Sequence, residues 1–206
     1  MALNFANNNS LSAITTLPAS ISGGGMTLIS EQTASSSSSV QFTTGIDDTY
    51  DKYVFKFINI HPADDDRNLY MVASTDGGSN YTVNATNTFF LAYNYEDGTT
   101  GTGLQYQTGS DVAQGYPVRL LEGCGNANDE HITATLNFYN PSSSTFVKHF
   151  MCRGVRTYYT DAMVDDYSAG YFNTTSPINA VKFYMQDFAK STTSNFDGVI
   201  KLYGIS

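Results

Sequence analysis

An all-β fold is what this sequence predicts: an antiparallel β-sandwich, jelly-roll-like or another Greek key, preceded by an extended N-terminal arm. Three observations carry it. Strand-like runs recur roughly every ten residues between turn clusters. Aromatic residues match charged ones at 14% each, with fifteen Tyr, thirteen Phe and no Trp, a balance that suits pleated surfaces. Few windows hold the Ala, Leu, Glu and Lys density that helices prefer. A chain of 206 residues with this pattern suits one core, 26–206, and an arm, 1–25.

The arm comes first. Residues 1–25 hold Asn7-Asn8-Asn9, Pro18 and Gly23-Gly24-Gly25, and show no sustained period of either kind. Such an arm is either a disordered terminus or a strap that orders against a neighbouring subunit, and the regular spacing of Leu11, Ile14, Leu17 and Ile21 favours the strap.

The strand candidates follow in order: Met26–Gln32, Val40–Thr44, Tyr53–Ile60, Asn68–Ser74, Thr88–Tyr95, Gly103–Gln107, Tyr116–Leu121, Glu130–Tyr139, Thr145–Cys152, Ala180–Gln186 and Val199–Tyr203. Between them stand a serine run (Ala34–Ser39), Asp76-Gly77-Gly78, Asp97-Gly98, Asn140-Pro141 and Asp197-Gly198, all turn chemistry because Gly and Asx tolerate positive φ. Ile132, Ala134, Leu136 and Phe138 alternate with polar residues, so that strand has one dry and one wet face. Tyr53–Ile60 is apolar on both faces except at Lys56 and Asn59, as in a central strand. Val199–Tyr203, apolar on both faces around Lys201, likewise belongs inside a sheet. Glu130–Cys152 reads as a hairpin about Asn140–Ser144, with paired residue numbers summing to about 285. Strands without helical crossovers imply two packed antiparallel sheets.

Charge and hydropathy exclude several classes. A formal charge of −9 repels phosphate and leaves no basic stripe for nucleic acid. No apolar run approaches the ~20 residues of a membrane span, and MALNFANNNSLS lacks the charged-then-apolar order of a signal peptide, so a protein made in a cytoplasm is expected. Cys124 and Cys152 do not make a disulfide scaffold, and two free thiols are expected.

The search for chemistry returns little. Nucleophile-elbow, zinc-protease, phosphate-loop, CxxC and EF-hand patterns are all missing from the sequence. His131 and His149, on the two arms of the hairpin, stand roughly 16 Å apart at ~3.3 Å per residue, too far to share a metal. His61-Pro62-Ala63-Asp64-Asp65-Asp66-Arg67, Asp47-Asp48 with Asp51, and Asp161 with Asp165-Asp166 read as solvated acidic loops rather than calcium loops. Nineteen acids supply many chance pairs of the kind a glycosidase uses, so pairing alone means little. No enzyme activity, metal or cofactor is expected. Tyr93, Tyr95, Tyr106 and Tyr116, set among Gly, Asn and Thr in 88–116, suit a contact surface for a subunit, a receptor or a glycan.

Several blocks carry a resemblance. These are Ser10–Pro18, Thr33–Ser37, Phe42-Thr43-Thr44-Gly45-Ile46-Asp47-Asp48-Thr49-Tyr50-Asp51-Lys52-Tyr53-Val54-Phe55, Asn59-Ile60-His61-Pro62, Phe138–Ser143 with Lys148-His149-Phe150, and the closing Gly198-Val199-Ile200-Lys201-Leu202-Tyr203-Gly204-Ile205. In them the chain resembles a group of virion structural proteins of tailed phages, especially marine, cyanophage-like ones, over most of its length. The resemblance implies a β-sandwich module ending in Leu-Tyr-Gly-Ile, used as a capsid decoration, tail fibre or other tail appendage. It implies other capsid or tail proteins as partners, a homo-oligomer, and a place in the virion after assembly in the host cytoplasm. A host-receptor or glycan-binding module of a tail fibre is the alternative, and neither reading calls for nucleic acid or membrane insertion.

Overall fold

The computed structural model describes residues 25–205. Leu11, Ile14, Leu17 and Ile21 of the expected arm lie outside the described residues. Fourteen strands follow one another: β1 (Thr27–Ser37), β2 (Val40–Phe42), β3 (Lys52–Pro62), β4 (Arg67–Ser74), β5 (Ala85–Tyr95), β6 (Thr102–Tyr106), β7 (Val112–Gly115), β8 (Val118–Cys124), β9 (Ile132–Tyr139), β10 (Lys148–Tyr158), β11 (Ala162–Phe172), β12 (Ala180–Gln186), β13 (Thr193–Ser194) and β14 (Phe196–Ile205). The described residues contain no helix, so the all-β expectation holds.

The strands form a long and a short layer. The long layer runs β1-β14-β3-β9-β10-β11-β5, with β6 and β7 side by side on the far edge of β5. The short layer runs β12-β4-β8, with β2 and β13 on the outer edge of β12. Instead of two separate sheets, one antiparallel sheet folds over on itself, joined where Tyr158 of β10 pairs with Cys124 of β8.

Side-chain alternation explains the closure. In β9, Ile132, Ala134, Leu136 and Phe138 are buried while the residues between them are exposed or half-buried, as their spacing predicts. Phe183 of β12 reaches across from the short layer to Phe55 and Phe57 of β3, which it meets edge-on at 5.1 and 5.0 Å, and it meets Phe42 of its neighbour β2 at 6.2 Å. Full burial of such a side chain contributes about 1.5–3 kcal/mol. Strand β3 lies centrally between β14 and β9, and β14 lies between β1 and β3, both as expected.

The β9–β10 hairpin also forms, with Phe150 opposite Phe138 and Arg156 opposite Ile132, a register three residues beyond the expected sum. Its connecting loop is held by Lys148, whose buried ammonium donates to the carbonyls of Ser143, Phe146 and Thr174 at 2.6, 2.7 and 3.1 Å.

Three local expectations are corrected. Asp197-Gly198 is a bulge inside β14, not a turn before it: the register against β3 shifts between Asp197 and Val199, and Gly198 takes φ +130°. A side chain there would come within 2.6 Å of the Asn59 carbonyl. The serine run does not end β1, which continues to Ser37 through a second irregularity after Ala34. Asp165 and Asp166 are not in a loop; they sit in β11, a strand the apolar pattern conceals.

Candidate functional site

Strands β5, β11 and β10 offer two unlike faces. On the outer face, cross-strand pairing lines up Tyr106, Phe90, Tyr167, Arg153, Thr135, Lys56, Lys201 and Glu31 in one row across eight strands. Phe90 stacks on Tyr167 with ring centroids 4.7 Å apart. The Arg153 guanidinium lies 5.0 Å over Tyr167 and donates to both oxygens of Asp165 at 3.1 and 2.7 Å. Flanking rows add Met151, Val155 and Met163, which are 55%, 46% and 50% exposed, and Leu104 of β6, which is more exposed still. Phe90, Leu104, Met151, Val155 and Met163 thus form an apolar patch on this surface that no other described residue buries.

On the inner face, the short layer ends at β8, which lies against β11: the backbone N–H of Glu122 donates to Asp166 at 3.2 Å and Ser168 donates to the Arg119 carbonyl at 3.0 Å. Strands β5 and β6 extend past that edge. Their inward side chains therefore line an open cleft of about 320 Å³ instead of a closed core. Its floor is Leu91, Ala162 and Val164 of a small apolar cluster. Its walls are Tyr93, Tyr95 and Tyr158, with Thr100, Gln105, Gln107, Glu122 and Arg156 supplying polar groups.

Each wall residue has a local cause. The Tyr93 ring lies across β6 at Gly103, where an added Cβ would stand 2.8 Å from its hydroxyl. Tyr158 rests in the same way against Gly123, where a Cβ would stand 2.6 Å from its ring. Tyr95 meets Tyr93 edge-on at 5.9 Å. Arg156, itself buried, donates to Asp166 at 2.7 Å and to the Gly123 carbonyl at 3.1 Å, and its guanidinium lies 5.1 Å from the Tyr158 ring. Burial pushes the Asp166 carboxyl above its ordinary range, against the pull of Arg156. Burial likewise raises the Tyr158 hydroxyl.

A second buried cation fixes the β8 wall. Arg119 donates to Ser110 at 2.6 Å, to the Tyr70 hydroxyl at 2.7 and 3.0 Å and to the Phe188 carbonyl at 3.2 Å, and lies 4.2 Å over the Phe188 ring. Ser110 in turn donates to Glu122, which also faces Arg119 at 3.6 Å. The loop between β6 and β7 is thereby tied to β8, and Glu122 is oriented.

The four tyrosines singled out from sequence do not form one surface. Tyr93 and Tyr95 line the cleft, whereas Tyr106 belongs to the outer face and donates to Asp111 at 2.7 Å. Tyr116 lies on the far side of the molecule, in a shallow groove of about 590 Å³ with Tyr81, Tyr184, Lys182 and Lys190. Glu122, Arg156 and Tyr158 escaped sequence reasoning because they stand on strands distant in sequence. Of the histidines, it is His61 and His131 that share a hollow, with Glu130 and Asn128 beside them, and His61 pairs with the Ala127 carbonyl at 3.1 Å.

Among the described residues no three His, Cys, Asp or Glu side chains gather as a metal set. In the first acidic loop Asp64 instead faces Arg67 at 3.9 Å. Cys124 and Cys152 are buried free thiols, and burial pushes Cys124 up to about 12 and Cys152 higher.

Fold and site together define an antiparallel β-sandwich with one bare apolar sheet face and one aromatic, amide-lined cleft. In comparisons with known proteins, no family model, no curated protein and no solved structure matches the chain.

Proposed function

We propose that this chain is a non-enzymatic virion structural protein of a tailed phage, part of a capsid decoration or tail appendage, which assembles through the outer face of its long layer. The bare apolar face carries the reading. Met151, Val155, Met163, Phe90 and Leu104 stand on it in adjacent strands, and such a patch on a monomer marks a contact surface. The edge of the sheet is a poorer candidate, because β1 is twice interrupted in its register, which discourages strand addition.

Charge favours another copy of this chain as the partner. Of ten basic residues, Lys52, Lys56, Arg153 and Lys201 project from this face with Glu31 and Asp165, while the chain as a whole carries −9. A second copy, acidic overall, suits the excess of cations on this face, and repeated contacts between copies can close into a ring. The blocks resembling tailed-phage proteins point to the particle as the place where such a ring sits.

The test replaces Met151 and Val155 together by Glu. Sedimentation should show the parent chain as a defined oligomer and the variant as a monomer with an unchanged circular-dichroism spectrum. Particles produced with the variant should lack the protein. An oligomer of unchanged size, incorporated as before, would sink the reading.

A further inference from the structure

We infer that the cleft between β5, β6 and β8 is a binding site for a neutral hexopyranose oligosaccharide. The inference does not rest on assembly through the outer face.

Shape and composition argue for a sugar. The volume, about 320 Å³, lies at the lower end of ligand pockets, the size for a short ligand. A pyranose has C–H faces and an equatorial belt of hydroxyls. Tyr93, Tyr95 and Tyr158 present ring surface to the former, and tyrosine brings a large rigid contact area at low entropic cost. Gln105, Gln107, Thr100, Glu122 and Arg156 surround those rings with both donors and acceptors, as a belt of hydroxyls requires. Gln105 is set opposite Leu91, and the Gln107 N–H is bonded to the Phe89 carbonyl at 2.9 Å, so the backbone that carries both side chains is held against β5.

Charge decides between ligand classes. Three tyrosines and a carboxylate would also suit a quaternary ammonium ion. The Arg156 guanidinium in the same wall opposes a cation, while Glu122 opposes an anionic sugar. Arg156 is already neutralised by Asp166, and Arg119 faces Glu122, so the cleft has no uncompensated charge to offer either. A neutral polyhydroxylated ligand is what remains. Glu122 is the one carboxylate among the described residues that line the cleft, whereas ordinary glycoside hydrolysis uses two flanking the bond, so the reading is of a cleft that holds a sugar rather than one that cleaves it.

Saturation-transfer NMR on the whole chain tests this with maltotriose, cellotriose, chitotriose and mannotriose, beside 3′-sialyllactose and tetramethylammonium. At least one neutral trisaccharide should bind with a Kd on the order of 1 mM or below. Tyr93→Ala should weaken it about tenfold or more. Gly103→Val, whose side chain must displace the Tyr93 ring, should do the same with an unchanged melting temperature. Tyr106→Ala, on the opposite face of the sheet, should leave binding intact, as should the Met151, Val155 double variant even if monomeric. Silence from all four neutral sugars overturns the inference. So does binding indifferent to Tyr93→Ala and Gly103→Val, or preference for the sialylated sugar or for tetramethylammonium.

Discussion

The two faces of strands β5, β11 and β10 are made from adjacent residues and have opposite fates. Phe90, Met163 and Val155 point outward, bare; Leu91, Val164 and Arg156 point inward, covered by the short layer or lining the cleft at its margin. Both faces are apolar enough to be a core. What separates them is the strand count of the opposing layer: it ends at β8, leaves β5 and β6 overhanging, and among the described residues has no counterpart outside. Hydrophobic content alone therefore does not say which face is buried, and surplus apolar surface becomes available for contact.

The contrast is broken most severely from inside. Phe183→Ala removes the ring that joins the layers and should cost about 3–5 kcal/mol in denaturant unfolding, whereas outward Met151→Ala should stay within about 0.5 kcal/mol. Similar costs for the two would mean that the outer face is as packed as the inner.

Arg156→Met comes next. It leaves Asp166 buried without its partner and should cost about 3 kcal/mol or more at neutral pH. The folded carboxyl of Asp166 already titrates above 3.8 and rises further once Arg156 is gone. A raised carboxyl contributes its stability fully below the unfolded value and loses it as pH rises through the folded one. The gap between parent and variant should thus narrow as pH is lowered towards 4, in thermal melts. Double replacement, Arg156→Met with Asp166→Leu, should recover most of the loss.

The sequence makes the inner face of β9 plain, because Ile132, Ala134, Leu136 and Phe138 alternate without a break. It conceals β11, because Asp165, Asp166 and Ser168 interrupt the apolar period where the chain makes polar pairs. A signal was nevertheless present: Arg153 and Arg156 precede a Thr160-Asp161 turn, Asp165 and Asp166 follow it, and near-symmetric opposite charges are what a hairpin brings together. The candidate site was legible only in part. Tyr93 and Tyr95, two apart on one strand, had to share a face. Assigning Tyr106 to the other face needs the β5–β6 register, in which it pairs with Phe90. Bringing Glu122 and Arg156 to the cleft needs the whole topology, and local pattern does not encode that.

The smallest effect is expected at an exposed carboxylate, where the pH range of the response separates solvent-facing from buried acids. Asp76, in the β4–β5 turn, accepts from the Ser74 hydroxyl at 2.6 Å, the Asn80 N–H at 2.9 Å and the Asn80 amide at 2.7 Å. These bonds, that of Ser74 foremost, hold it down at about 2 from an ordinary 3.8. A depressed carboxyl stabilises fully above the unfolded value and ceases to as pH falls through the folded one. Asp76→Asn keeps the shape and removes the charge, so it should melt slightly below the parent at pH 7, and the two should converge only between pH 4 and pH 2. The Arg156→Met gap, governed by a raised carboxyl, should already be shrinking above pH 4. If both gaps closed over the same pH range, the distinction between an acid desolvated inside the sandwich and one held by a solvent-facing turn would fail.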